Sequence, residues 1–261
     1  MVNKKSWILI LFILSNFFFA QLGFSKVSVV DERWKIPKVE GEHGPFYSDT
    51  LLGLIIQDGN TVDNTVAFNS NNTLVLKREI LILGGHYTYG NDEAGLSSRN
   101  WDVRFRYEYK FRENINPFAS IVEEGDPFAG FFKRENYDLG VNFPIHGEIF
   151  DWRFEIGYRY TEESPTADPE RYQNKIRLHV GGVWKIAEKG EVDVFVRYLP
   201  FLSDTQGDLP NYMLDFGLSV KSFFSKNFYL NMTFSRNYRQ VPLEDRLQFD
   251  SKLIGSIGYK I

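Results

Sequence analysis

The sequence predicts an all-β protein, a transmembrane antiparallel up-and-down β-barrel of about 12 strands. Three observations carry that expectation. Long segments alternate apolar and polar residues with a period of two, the connections between them are alternately short and long, and an export signal opens the chain. Period-two alternation marks a strand with one apolar and one polar face.

The opening stretch, MVNKKSWILILFILSNFFFAQLGFSK, sets Lys4 and Lys5 before an apolar run from Ile8 to Phe19. Gly23 and Ser25 then stand at the small-residue positions of a cut ahead of Lys26. This is the layout of a secretory signal peptide. Asn16 and Gln21 interrupt the run and no basic stop-transfer cluster follows, which disfavours an uncleaved anchor. Residues 1–25 are therefore expected as signal peptide, 26–45 as an N-terminal periplasmic or plug segment, and 46–261 as an outer-membrane β-barrel.

Alternating segments begin near Tyr47, Val62, Glu79, Arg99, Asn114, Lys133, Phe150, Tyr172, Glu191, Asn211, Asn227 and Leu247. The clearest, WDVRFRYEYKF, puts Trp101, Val103, Phe105, Tyr107, Tyr109 and Phe111 on one parity. Asp102, Arg104, Arg106, Glu108 and Lys110 take the other. DWRFEIGYRYT and KIRLHVGGVWKI repeat the pattern, as do VDVFVRY, YMLDFGLSVKSF and FYLNMTFS, although Phe195 and Tyr229 fall on the otherwise polar parity. Most segments are about ten residues or longer. Strands of soluble proteins average about 5 to 6 residues, whereas a tilted strand crossing a bilayer needs about 9 to 11.

Short connections occur at LKRE, FREN, PIHGEI, AEKGE and FSKN. Longer polar ones occur at GNDEAGLSS, EEGDPFAG, EESPTADPER, LSDTQGDLP and RQVPLED. An even strand number with short periplasmic turns and longer external loops fits that alternation. The last segment, KLIGSIGYKI, sets Leu253, Ile257, Tyr259 and Ile261 on one face. It resembles the C-terminal assembly signal of outer-membrane proteins, with Ile261 where Phe or Trp is usual.

A net charge of -4 excludes a nucleic-acid binder by bulk charge, and no second apolar run is long enough to span as a helix. The chain has no cysteine, so an exported fold must draw its stability from elsewhere, and a closed hydrogen-bonded sheet supplies it. The apolar parity is expected to meet lipid. The polar parity then lines the lumen with Arg104, Arg106, Glu108, Lys110, Arg153, Glu155, Arg159, Arg177, Lys185, Arg197 and Lys221. Basic residues lead on that parity although the chain as a whole is acidic.

The stretch DGNTVDNTVAF, with Gly59, Asn60 and Thr61, and the stretch EEGDPFAGFFKRENYDLGVNF, with Asp126, Phe128, Gly130 and Arg134, resemble the salt-induced outer-membrane protein family. That family is a Gram-negative β-barrel domain of unknown function, and the resemblance covers roughly residues 46 to 261. It implies an outer-membrane barrel and names no substrate.

The histidines His43, His86, His146 and His179 are scattered without metal-ligand spacing, and no nucleophile elbow is present. No catalytic, cofactor or metal residue is expected, and the protein is read as a non-enzyme. Asp92, Glu93, Glu123, Glu124, Asp126, Asp168, Glu170, Asp204 and Asp208 read as solvated loop charges, with Asp126 and Arg134 as a pair that fixes one external hairpin. The expected function is a passive small-solute channel or an envelope structural protein, monomeric in the cell outer membrane. Its expected partners are outer-membrane lipid and lipopolysaccharide, and the assembly machinery through the C-terminal strand. Two other readings compete: a secreted lipocalin-like barrel whose aromatics face a ligand, and an outer-membrane lipid-modifying enzyme.

Overall fold

Strand pairing starts at Phe46, where the alternation starts. The computed structural model describes residues 46–57, 63–92, 95–187, 189–205, 210–241 and 248–261, so the expected signal peptide and the expected 26–45 periplasmic or plug segment lie outside the described residues. The strands are β1 (Phe46–Gln57), β2 (Asp63–Val75), β3 (Glu79–Asp92), β4 (Gly95–Tyr109), β5 (Asn116–Asp126) and β6 (Phe131–His146). They continue as β7 (Phe150–Pro165), β8 (Arg171–Ala187), β9 (Gly190–Asp204), β10 (Tyr212–Phe223), β11 (Phe228–Arg239) and β12 (Phe249–Lys260). Each strand pairs antiparallel with the next, and β12 returns to β1 through Asp49↔Lys260 to Gly53↔Ser256, closing the barrel.

Closure gives every strand a neighbour on both sides, which is what a lipid environment requires of a sheet. The strands run from 11 residues in β5 to 17 in β8. All are long enough to cross a bilayer at a tilt. Several connections read as long loops are partly sheet. β3 and β4 pair into GNDEAGLSS through a register shift between Gly90 and Asn91, and β7 runs on to Pro165. Backbone pairing does not need apolar side chains, so the ladder continues past the point where the apolar face stops.

Burial decides which face points inward. On β4, Val103 and Phe105 are 54% and 46% exposed, while Asp102, Arg104, Arg106 and Glu108 are 2% or less. The outer band carries Leu139, Ile156, Leu178 and Val196. The lipocalin-like reading, with the aromatics turned to a ligand cavity, is overturned by this orientation.

Two aromatic belts bound the band. At the short-turn end Phe150 stacks on Trp184, and Phe228 meets Phe224 and Tyr259. Nearer the long connections Tyr137 meets Tyr160, and Tyr198, Tyr212, Tyr238 and Phe249 form a chain with ring centroids 4.9–5.5 Å apart. From Trp152 to Tyr160 along β7 is about 27 Å at roughly 3.4 Å per residue, or about 20 Å along the axis at a tilt near 40°. That is close to the height of an outer-membrane apolar band, about 25 Å.

Candidate functional site: the barrel interior

Inward-facing residues of β4 to β8 meet as a cross-braced ionic belt. Arg106 Nε donates to Glu108 Oε1 at 2.6 Å, and its Nη2 donates to Glu155 Oε1 at 2.9 Å. Glu155 Oε2 accepts from Arg177 Nη2 at 2.9 Å, and Arg177 Nη1 lies 3.7 Å from Asp138. Arg159 binds Asp138 with both Nε, at 2.7 Å, and Nη2, at 2.8 Å. The chain Glu108–Arg106–Glu155–Arg177–Asp138–Arg159 thus joins β4, β6, β7 and β8. β4 and β7 are not neighbours in the sheet, so the Arg106–Glu155 contact reaches through the interior past β5 and β6.

A second tier lies toward the long connections. Arg134 donates to Glu163 Oε2 at 2.6 Å and to Glu124 Oε1 at 3.2 Å. Arg239, on β11, reaches Glu163 at 3.4 Å. The expected Asp126–Arg134 loop-fixing pair is therefore corrected. In the register Arg134 lies opposite Glu124, while Asp126 lies opposite Phe131. Asp126 Oδ1 instead accepts from the N–H groups of Phe128 and Ala129 at 3.0 and 2.9 Å, capping a single 3-10 turn closed by Gly130 at φ 96°. Glu124 and Asp126 are also not solvated loop charges, because the inner parity carries both into the interior, where they are buried.

Most other expected wall residues are buried inside the barrel. Arg104 pairs with Asp102 at 3.0 Å and Arg197 with Asp215 at 2.6 Å. Lys221 bonds Asp49 at 2.8 Å and the Tyr229 hydroxyl at 3.3 Å. Arg153 is half-buried. Lys185 is exposed at the short-turn end. Lys110 is corrected, because β4 ends at Tyr109 and Lys110 sits in the following turn, where its N–H donates to the Arg78 carbonyl.

Among the described residues nine buried cations face nine buried carboxylates. The buried charges of the interior are therefore balanced, and they act mainly on each other. At such depth removing one partner is costly, because it leaves an uncompensated charge. The belt fills one side of the bore. The opposite side, on β1, β2 and β10 to β12, carries small or neutral groups such as Gly53, Ala67, Asn69, Gly217, Asn231 and Ser256 beside a few charges, Asp49, Asp215, Lys221 and Arg239 among them.

The sequence reading also missed the use of the off-parity aromatics. Phe195 and Tyr229 are buried inside, and glycines on adjacent strands receive them. Gly181 and Gly217 stand opposite Phe195 on its two flanking strands. Gly258 stands opposite Tyr229. A Cβ at Gly217 would lie 2.1 Å from the Phe195 ring, and one at Gly258 would lie 2.1 Å from the Tyr229 ring. An aromatic on the polar parity with glycine at its cross-strand position was the available signal.

Two spaces remain. A cavity of about 770 Å³ occupies the short-turn end, with Lys185, Lys189, Lys221, Lys226, Lys260 and Arg153 in its lining against Asp49, Asp151, Glu191 and Asp193. A smaller one of about 50 Å³ lies along the neutral wall, lined by residues that include Asn69, His86, Asn231, Thr233, Ser235 and Ser256. His86 Nε2 contacts Asn100 Oδ1 at 3.1 Å and Thr88 Oγ1 at 2.8 Å, and His179 stacks on Phe195. Among the described residues no three His, Asp or Glu side chains gather as a metal site.

Residues 51–261 match the model of a family described as "Protein of unknown function, DUF481". Among curated proteins nothing matches the chain. The barrel is similar to the COG4313 outer membrane channel from Pseudomonas putida F1, with a TM-score of 0.56 at 12% identity, covering 90% of this chain and 100% of that one. It is also similar to the NanC porin, with a TM-score of 0.50 at 9% identity over 81% of this chain and 97% of that one. At these identities the likeness is one of fold: a closed barrel of the outer-membrane kind.

Proposed function

Since the chain belongs to the DUF481 family, as the resemblance carried by Gly59 to Thr61 and Asp126 to Arg134 anticipated, we propose that it is a monomeric porin-like barrel of the cell outer membrane that lets small solutes cross passively. The observation that supports this most is the uneven filling of the bore. The ionic belt braces one wall, while a cavity of about 770 Å³ opens at the short-turn end and a smaller one of about 50 Å³ lies against the wall opposite. Eight-stranded barrels are filled by their side chains and those of 16 to 18 strands hold an open channel, so a 12-stranded bore that is partly filled suits a narrow path.

The charge of that path is basic-leaning at one end. The buried charges balance, but six basic residues line the short-turn cavity against four acidic ones. A low-dielectric wall focuses the field of the excess cations and raises the local concentration of anions. Planar-bilayer recording in a salt gradient tests this, with a reversal potential on the anion side expected. A reversal on the cation side contradicts the charge argument, and a folded, pure protein without conductance points to an envelope structural role instead.

The same reading assigns no catalytic centre. His86 and His179 are buried inside the barrel, away from the outer face where a lipid substrate would lie. Turnover of phospholipid or lipid A that disappears in His86→Ala or His179→Ala would overturn it. Fractionation with the outer membrane tests the location, and the assembly machinery is expected to engage β12.

A further inference from the structure

We infer that Phe195, with Leu51 facing it from β1, forms an apolar constriction that separates the basic short-turn cavity from the neutral mid-barrel cavity and limits what passes between them. The inference rests on the channel reading above. Among the described residues, Leu51 and Phe195 are the two that border both cavities. They stand on strands separated by β10, β11 and β12 in the ring, so they approach the passage from different parts of the wall. On one side of them the charged lining is lysine and carboxylate, and on the other the polar lining is uncharged hydroxyl and carboxamide, set among apolar groups such as Ala67 and Ile254.

The position of the ring is built into three strands. Phe195 is 4% exposed, lies opposite Gly217 on β10 and Gly181 on β8, and stacks on His179 with centroids 5.8 Å apart and planes 16° apart. A Cβ at Gly217 would meet Phe195 Cε1 at 2.1 Å and Cζ at 2.7 Å, so the ring occupies the space that any other residue there would fill. Glycine in a strand interior weakens the strand, and it is found where something must approach the backbone closely. Here that something is an aromatic ring laid against the wall. Its seat holds it beside the passage.

An apolar ring at a narrow point penalises an ion, which must shed water there with no polar group to replace it. A small uncharged polar solute sheds less and meets Asn69, Asn231, Thr233 and Ser235 beyond the ring. The constriction therefore favours small neutral polar solutes over inorganic ions. The basic cavity decides only which ions reach it.

Single-channel recording of the purified full chain tests this with substitutions of opposite sign. Phe195→Ser is expected to raise ion conductance severalfold. Gly217→Ala is expected to lower it, because the new methyl pushes the ring off its seat into the passage, and Phe195→Ala with Gly217→Ala is expected to restore high conductance. Wild type silent with Phe195→Ser conducting also supports the constriction. Wild type conducting with Phe195→Ser unchanged, or Gly217→Ala conducting more, overturns the constriction and leaves the channel standing. Silence of both wild type and Phe195→Ser, with each folded by heat-modifiable migration, overturns the channel and the constriction together. If Phe195→Ser does not fold, Leu51→Ser replaces it with the same expected rise. The chain has no cysteine, so Ser235→Cys gives a clean second readout. Its modification by a charged thiol reagent should speed up when Phe195 is replaced, and an unchanged rate counts against the constriction.

Discussion

Arg106 on β4 and Glu155 on β7 meet inside the barrel, past the two strands between them, at 2.9 Å, and neither side chain is exposed at all. A pair at that depth is worth less as an attraction than it costs to break, because a lone charge left in a poorly solvated interior is the expensive state. Glu155→Leu should destabilise the barrel by about 3 kcal/mol, the low end of the range for breaking a buried pair, since Glu108 and Asp138 remain to hold Arg106 and Arg177. The double replacement Arg106→Met with Glu155→Leu should lose less than the sum of the two single changes. Urea unfolding of protein refolded into lipid vesicles measures both. Strict additivity would show that the pair is not coupled.

Tyr229 and Gly258 make a similar test in packing. A methyl at position 258 would overlap the Tyr229 ring, so Gly258→Ala should cost about 1–3 kcal/mol by overpacking. Shortening the ring by Tyr229→Leu in the same chain should return part of that loss. No recovery in the double variant would mean that Gly258 is needed for its backbone and not for the space beside it.

Leu139, 63% exposed on β6, should sit in the lipid band between the aromatic belts. Leu139→Arg is expected to cost about 2–4 kcal/mol of folding stability in vesicles, with a smaller loss for the same change at Tyr160, nearer the interface. Equal losses at both sites would contradict the placement of the band.

Asp126 holds the only described 3-10 turn, through two backbone N–H groups. Asp126→Ala should cost about 1 kcal/mol and loosen residues 127–130, seen as faster proteolysis at that hairpin. Gly130→Ala should loosen it as well, because φ 96° strains any residue with a Cβ. A hairpin as resistant as the parent in both variants would remove the cap from the account.

The strand number, the strand starts and the choice of outer face were legible in the chain. WDVRFRYEYKF alternates without a break, and burial follows its parity residue by residue from Asp102 to Glu108. That signal is local, since a strand's side chains alternate whatever it pairs with. The alternation faded where strands left the apolar band, so the sheet within GNDEAGLSS and EESPTADPER read as loop.

Which inward charges meet could not be read locally. Arg134 lay eight residues from Asp126, but the β5–β6 register set it beside Glu124 and the β6–β7 register beside Glu163, and the curvature of the closed sheet brought Arg239 to the same point. Phe195 broke the polar parity in plain view, yet only the alignment of three strands revealed that Gly181 and Gly217 make its seat. By itself the sequence determined that there is a barrel and which face meets lipid, because alternation is a property of one strand. Closure of the twelve strands decided how the inward side chains pair and where space is left, because contacts across a bore depend on register and curvature, which no single strand contains.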